Sequence, residues 1–324
     1  MPGEGPVFNL SMRFSGRVIG RILGSALCQA WLSRSPNPDG KAHIALLAIR
    51  QAVIRIGPSG STTVATSTLE AVRHVGELGL SALEVNYVRG ARTSEGTTRA
   101  IGEAAERAGV ALSAHAPYYI SLNSKEPVTR VRSVEHIVET ARRCAWLGAP
   151  YFAIHGGTYG GLPPDAATDG VVARLLEVRT RMDEEGISGV RVGLETTGRK
   201  GAWGTMPEIE AVVDELDFAL PVVDFSHLHA RSAGGLKRKR DFKSVVEWAT
   251  SLSGCLLYCH FQSIEWGEHG EVRHLPVNAW QPDFRLLAPI LLDLDCDVHL
   301  ICESPLLEKD VLLMRRILAG KDVE

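Results

Sequence analysis

The sequence is most easily approached through what it lacks. Its 324 residues contain six cysteines and no C-x-x-C pair, which excludes a disulfide scaffold and a thiolate zinc knuckle. Cys255, Cys259 and Cys302 sit inside apolar runs and read as small core residues in a reducing compartment. No uncharged apolar run reaches the ~18 residues of a membrane-spanning helix. Neither sign of charge dominates: 35 Lys and Arg stand against 38 Asp and Glu, a net −3. That excludes a uniformly basic nucleic-acid coat but leaves room for a local basic patch. No G-x-G-x-x-G follows the first apolar run, which argues against a dinucleotide fold. A cytoplasmic protein with no membrane partner is expected.

What is present falls into two parts. Residues 1–52 carry Arg13, Arg17 and Arg21 ahead of an apolar stretch, then the linker-like Ser33-Arg34-Ser35-Pro36-Asn37-Pro38-Asp39-Gly40. They read as a poorly ordered extension or a misplaced start, with no recognisable chemistry. Residues 53–324 repeat one pattern. Short apolar runs at Ile54–Pro58, Ala82–Tyr87, Ala111–Ala116, Tyr151–His155, Val190–Glu195, Pro221–Phe225, Cys255–Phe261 and Val298–Glu303 start 28 to 43 residues apart. Most are apolar throughout rather than alternating, as strands covered on both faces are. Amphipathic stretches lie between them, among them Ser67–Leu78, Thr98–Ala108, Ser133–Leu147, Pro207–Leu216 and Leu307–Leu318. Eight strand–helix units over about 250 residues predict a single-domain α/β fold, a (β/α)₈ TIM barrel. An open doubly wound sheet is the alternative.

In such a barrel the strand ends converge on one mouth. Here the runs end in His115, His155, Glu195, Asp224 with His227 and His229 just beyond, His260 with His274 in its loop, and Glu303; six of the eleven histidines belong to this set. Carboxylates crowded at one mouth repel one another and resist ionisation. A divalent cation resolves the conflict, and imidazole with carboxylate suits Zn²⁺, Mn²⁺ or Fe²⁺. The number of ligands exceeds one tetrahedral site and points to two or three ions. Such a cluster suits phosphoester hydrolysis, whereas a sugar isomerase or epimerase needs fewer ligands around a single divalent ion.

The motifs Ser113-Ala114-His115-Ala116-Pro117-Tyr118, Ile154-His155-Gly156-Gly157, Leu194-Glu195-Thr196-Thr197-Gly198, Val223-Asp224-Phe225-Ser226-His227, His260-Phe261-Gln262-Ser263, Arg273-His274 and Cys302-Glu303-Ser304-Pro305 together resemble the endonuclease IV family of apurinic/apyrimidinic endonucleases. The resemblance runs from about Ile54 to Leu318. It implies a trinuclear site, usually zinc, and hydrolysis of the DNA phosphodiester 5′ to an abasic site by a metal-bridging hydroxide, as in base excision repair. It also implies a monomer acting on double-stranded DNA, with Glu195, Asp224 and Glu303 as catalytic carboxylates. By motif, His115, His155 and Glu195 take one metal; Glu195, Asp224, His260 and Glu303 a second; His227 and His274 the third. One position departs from the pattern. The family places Asp two residues before the last histidine, where this chain has Val272; Glu271 is the expected substitute. His229 ranks below His227. For DNA contact the resemblance points to Tyr118 and, less closely, Arg89. The basic run containing Lys237 and Arg238 suits phosphate by its place after strand six.

Overall fold

The computed structural model describes residues 52–88 and 90–321. Eight parallel strands form the central sheet: β1 Ile54–Pro58, β2 Ala82–Asn86, β3 Ala111–His115, β4 Tyr151–Ile154, β5 Arg191–Glu195, β6 Ala219–Asp224, β7 Leu256–Phe261 and, after a two-stranded hairpin, β10 Asp297–Cys302. Their order is β1, β10, β7, β6, β5, β4, β3, β2. The two ends of that row meet: Gly60 N donates to Glu84 O at 2.8 Å and Ser81 N to Ile56 O at 3.1 Å. A Cβ at Gly57 would lie 1.6 Å from the Ala82 carbonyl oxygen, so only glycine lets β1 approach β2 this closely. The result is a nearly closed barrel, not an open sheet.

The helices α1 Thr68–Glu77, α2 Glu95–Ala108, α3 Pro127–Leu147, α4 Pro164–Glu184, α5 Met206–Glu215, α6 Phe225–Arg231, α7 Lys239–Ser253 and α8 Phe284–Leu292 lie between the strands, and α9 Glu308–Leu318 follows the last of them. Several starts are written locally. Ser67 caps α1 by accepting from Glu70 N, Ser94 caps α2, and Thr205 forms a capping box with Glu208 at α5. Each such cap contributes ~1 kcal/mol. The helix expected from Ser133 is corrected: α3 begins six residues earlier, at Pro127, and Ser133 Oγ donates to Thr129 O at 2.7 Å inside the helix.

The main apolar core lies between sheet and helices, with Val72, Val75, Ile137, Leu175, Val212 and Phe242 buried against the strands. A smaller cluster of Ala82, Ala153, Leu220, Val222, Tyr258 and Ile301 packs separately. The buried polar side chains of Glu84, Ser113, Tyr258 and His299 contact one another across the strands. Cys255 is not a free core thiol: it is disulfide-bonded to Cys296, tying the starts of β7 and β10. Among the described residues no helix is long and apolar enough to cross a membrane. The expected extension at residues 1–52 lies, but for its last residue, outside the described residues.

Candidate metal centre

The strand ends collect the side chains. Glu195 ends β5, Asp224 ends β6, His260 lies one residue from the end of β7, and Glu303 follows β10 directly. Asp224 and His260 are register partners in adjacent strands. Three groups result, and within each the donor atoms lie within 4.8 Å of one another: His115, His155 and Glu195; Glu195, Asp224, His260 and Glu303; and His227, Glu271 and His274. Glu195 belongs to two of them.

The position of His227 follows from Asp224. Expected as strand up to Phe225, the chain instead turns into α6 at that residue, because Asp224 Oδ1 accepts from His227 N at 2.7 Å and caps the helix. His227 therefore stands on the first turn. His229, two residues on, is rotated by about 200° around the helix. Its ring packs edge-on to Trp266 at 4.7 Å, and it joins none of the three groups.

The third group depends on the hairpin of β8 Ser263–Gly267 and β9 Gly270–Leu275. Ile264 pairs with His274 and Glu265 with Arg273, but Trp266 pairs with Glu271. Val272 is thus one residue too many, a β-bulge. In a regular strand, residues three apart face opposite sides. The bulge returns Glu271 to the face of His274 and leaves Val272 outward, 54% exposed. Glu271 Oε2 then lies 3.6 Å from His227 Nε2, and Oε1 lies 3.8 Å from His274 Nε2. Gly198, in the loop just after β5, makes room: a Cβ there would come within 2.7 Å of Glu271 Cβ.

The donor chemistry fits divalent metal. His115 Nδ1 lies 2.8 Å from Ala116 O, His227 Nδ1 3.0 Å from Thr196 O, and His274 Nδ1 3.2 Å from Glu303 O. A carbonyl only accepts, so each Nδ1 carries a proton and each Nε2 is the nitrogen turned toward carboxylate oxygen, open to metal once its own proton is released. His115 Nε2 and His155 Nε2 lie 2.9 and 3.4 Å from Glu195 Oε2. The edge of a zinc tetrahedron with ~2.0 Å arms is about 3.3 Å. Glu195 Oε1 and His260 Nδ1 are buried without a hydrogen bond. Such facing nitrogen and carboxylate atoms are held together by protons on the rings or by a divalent cation between them.

The electrostatics agree. Burial disfavours charge on Glu195, but His155 and His260 outweigh it and hold its carboxyl well below the usual range. Burial likewise opposes a charged His115 and His227, yet Glu195 pushes the first up to about 9, and Asp224 with Glu195 pushes the second up to about 10. Burial pushes His155 down to about 4. Burial and the neighbouring Glu195 raise Glu303. An acidic cluster of this kind draws protons onto its histidines, or divalent cations in their stead.

The expected DNA-contacting residues fare unevenly. The Tyr118 ring lies 5.1 Å from that of His115 and 6.0 Å from that of His155, and the residue is 50% exposed. Lys237 and Arg238 are exposed just before α7; their backbone amides donate to Asp241, and neither joins the three groups. Arg89 lies outside the described residues. One buried group escaped the sequence reading. Glu84, in the middle of β2, contacts His260, Tyr258, Ser59 and Ser113. Its signal was a lone carboxylate in the apolar run Ala82-Leu83-Glu84-Val85.

The chain belongs to the xylose isomerase-like TIM barrel family, whose model matches residues 72–317. An uncharacterized protein of Methanocaldococcus jannaschii is 29% identical over 271 residues, covering 82% of this chain and 97% of that one. A probable endonuclease 4 of Geobacillus is 30% identical over 137 residues, 41% of this chain and 44% of that relative. Among solved structures, endonuclease IV from Thermus thermophilus superposes with a TM-score of 0.62 at 20% identity, covering 82% of this chain and 98% of that one. A D-tagatose 3-epimerase-like protein gives 0.63 at 18%, covering 82% and 96%. The family is one of enzymes, with members that bind divalent metals, and its fold is found both in an endonuclease IV and in an epimerase-like protein.

Proposed function

We propose that this protein is a metal-dependent hydrolase that cuts double-stranded DNA on the 5′ side of abasic sites, in the manner of base excision repair. The observation that carries the reading is the presence of three ligand groups where one would suffice for a sugar isomerase. Glu195, Asp224, His260 and Glu303 alone could hold the single ion of an isomerase; His115, His155, His227, Glu271 and His274 have no task there. The partial similarity to probable endonuclease 4 proteins supports the same choice.

Divalent metal bound in these groups, zinc first and Mn²⁺ or Fe²⁺ as alternatives, lowers the pKa of water and offsets charge on a phosphodiester undergoing in-line displacement. The chain's own residues hold it there. Glu195 spans two groups, His115 and His155 flank it, and the Nδ1–H bonds of His115, His227 and His274 fix which nitrogen points inward. Tyr118, half-exposed beside His115, is suited to packing against a nucleotide displaced from the stack, which costs least where the base is missing. Lys237 and Arg238 are suited to phosphate contact.

The test is incision of a duplex with one abasic-site analogue by zinc-loaded protein. A single cut 5′ to the lesion, leaving a 3′ hydroxyl, is expected. Folded protein that binds metal yet leaves the duplex intact with zinc, manganese and cobalt would overturn the reading. A one-metal sugar isomerase or epimerase would then take its place.

A further inference from the structure

Three of the five histidines in the candidate centre follow one rule. His115, His227 and His274 anchor Nδ1 on a backbone carbonyl and turn Nε2 to a carboxylate, His227 Nδ1 lying also 3.1 Å from Glu195 Oε1. His260 is reversed. Its Nε2 lies 3.0 Å from Glu84 Oε2, and its Nδ1 faces Glu195 Oε1 at 3.5 Å and Glu303 Oε1 at 3.9 Å. That Nδ1 is buried and makes no hydrogen bond. Its anchor is a fully buried carboxylate, brought by β2, a strand that supplies none of the metal-ligand candidates.

Glu84 is itself held from several directions. Ser59 Oγ lies 3.0 Å from Oε1, Ser113 Oγ 3.3 Å from Oε2, and Tyr258 OH donates to Oε2. These come from the β1 end, β3 and β7. An ionised carboxylate only accepts; three groups, from Ser113, Tyr258 and His260, converge on Oε2 and one, from Ser59, reaches Oε1. A group that only accepts leaves a neutral, metal-binding His260 one tautomer, protonated at Nε2 with Nδ1 free to be the ligand. Carboxylate–histidine–metal arrangements of this kind orient the ring and raise its basicity.

We infer that Glu84 is a positioning residue of the metal centre: by accepting the Nε2 proton of His260 it makes Nδ1 the ligand in the group shared with Glu195, Asp224 and Glu303. The inference rests on the metal reading but not on the substrate. Any enzyme of this barrel using the four-residue group, hydrolase or isomerase, would need His260 held in this way.

The experiment is a zinc titration against a competing chelator on the full chain, with E84Q and Y258F beside the wild type. Thermal melts confirm that each is folded. E84Q keeps the volume but gives up the anionic acceptor, and its affinity for the central zinc should fall roughly 10- to 100-fold. Y258F removes one donor to Glu84 but leaves the contact with His260, so its affinity should stay within about threefold of wild type by the same reasoning. Proton NMR of the zinc-loaded wild type should show a protected, low-field imidazole N–H from His260 that is lost or shifted upfield in E84Q. Wild-type affinity and an unchanged imidazole signal in E84Q would overturn the role of Glu84 alone. Equal losses in E84Q and Y258F would also overturn it, because general loosening of the barrel interior would then be the cause. A wild type that binds no zinc would sink the metal reading with it.

Discussion

The group built on strand ends and the group built with the hairpin solve one problem by different means. Glu195, Asp224, His260 and Glu303 inherit their positions from the parallel sheet, where pairs such as Asp224 and His260 are set side by side by register. Three of these four side chains are fully buried. Glu271 and His274 come from β9, outside the barrel, and keep 21% and 27% of their side-chain surface exposed. Their shared face depends on one extra residue, Val272. A barrel strand end is a rigid mount; a bulged hairpin is an adjustable one. The first should bind metal tightly and resist substitution, and the second should be where affinity is lost or retuned.

Predictions that test this contrast can be ordered by size. Glu195 serves two groups, so Glu195→Ala should lower incision by more than ~10³-fold, beyond what removing a single stabilising group costs. Its metal content should fall by at least one ion relative to wild type, measured by inductively coupled plasma mass spectrometry. Glu271→Ala should release only the hairpin-side metal, with a smaller fall in incision, of about 10- to 100-fold; equal losses from the two variants would erase the distinction between mounts. Metal affinity should rise with pH. The raised values of His115 and His227, about 9 and 10, mean that these rings hold protons at neutral pH without metal and must release them to bind it. Each released proton contributes up to a tenfold gain in affinity per pH unit, about 1.4 kcal/mol, until pH passes the pKa. Calorimetry at pH 7 in buffers of different ionisation enthalpy should register the release, and its absence would mean that the cluster is unprotonated before metal arrives. The smallest effect belongs to Val272→Asp. The outward-facing carboxylate should change metal content and affinity by less than about twofold, because the bulge, not the residue type, decides which side chain faces inward. A tighter third metal in that variant would show that the hairpin can slip back to regular pairing.

The legibility of the molecule in its sequence divides along the same line. The eight strands were readable because burial on both faces leaves nearly uninterrupted apolar runs, and the ligand candidates were readable because they stand where those runs end. The helical start at Phe225 was written too, in the Asp224 to His227 spacing, but a strand reading hid it. Glu271 could be named as a substitute for the missing acid, yet nothing in Gly270-Glu271-Val272-Arg273-His274 indicates a bulge; that is a property of the pairing with β8. Glu84 was missed because it lies within a strand rather than at its end, where its role depends on side chains from β1, β3 and β7. The Cys255–Cys296 pairing spans 41 residues and joins two segments that become neighbours only when β7 and β10 pair.

Asp224 is held by two obligations at once. One oxygen, Oδ1, is engaged by the amide of His227 at the start of α6; the other, Oδ2, is 2.9 Å from Gln262 Nε2 and turned toward the cluster. The first task would be met nearly as well by Asn or Ser; the second calls for negative charge. A descendant of this chain that abandoned catalysis would still be under pressure to keep a capping side chain here, while Glu195, engaged only with the cluster, would be free to drift. For judging whether a relative is still an active enzyme, the residue matching Glu195 is therefore the more telling one, and an acid at 224 records the architecture as much as the chemistry.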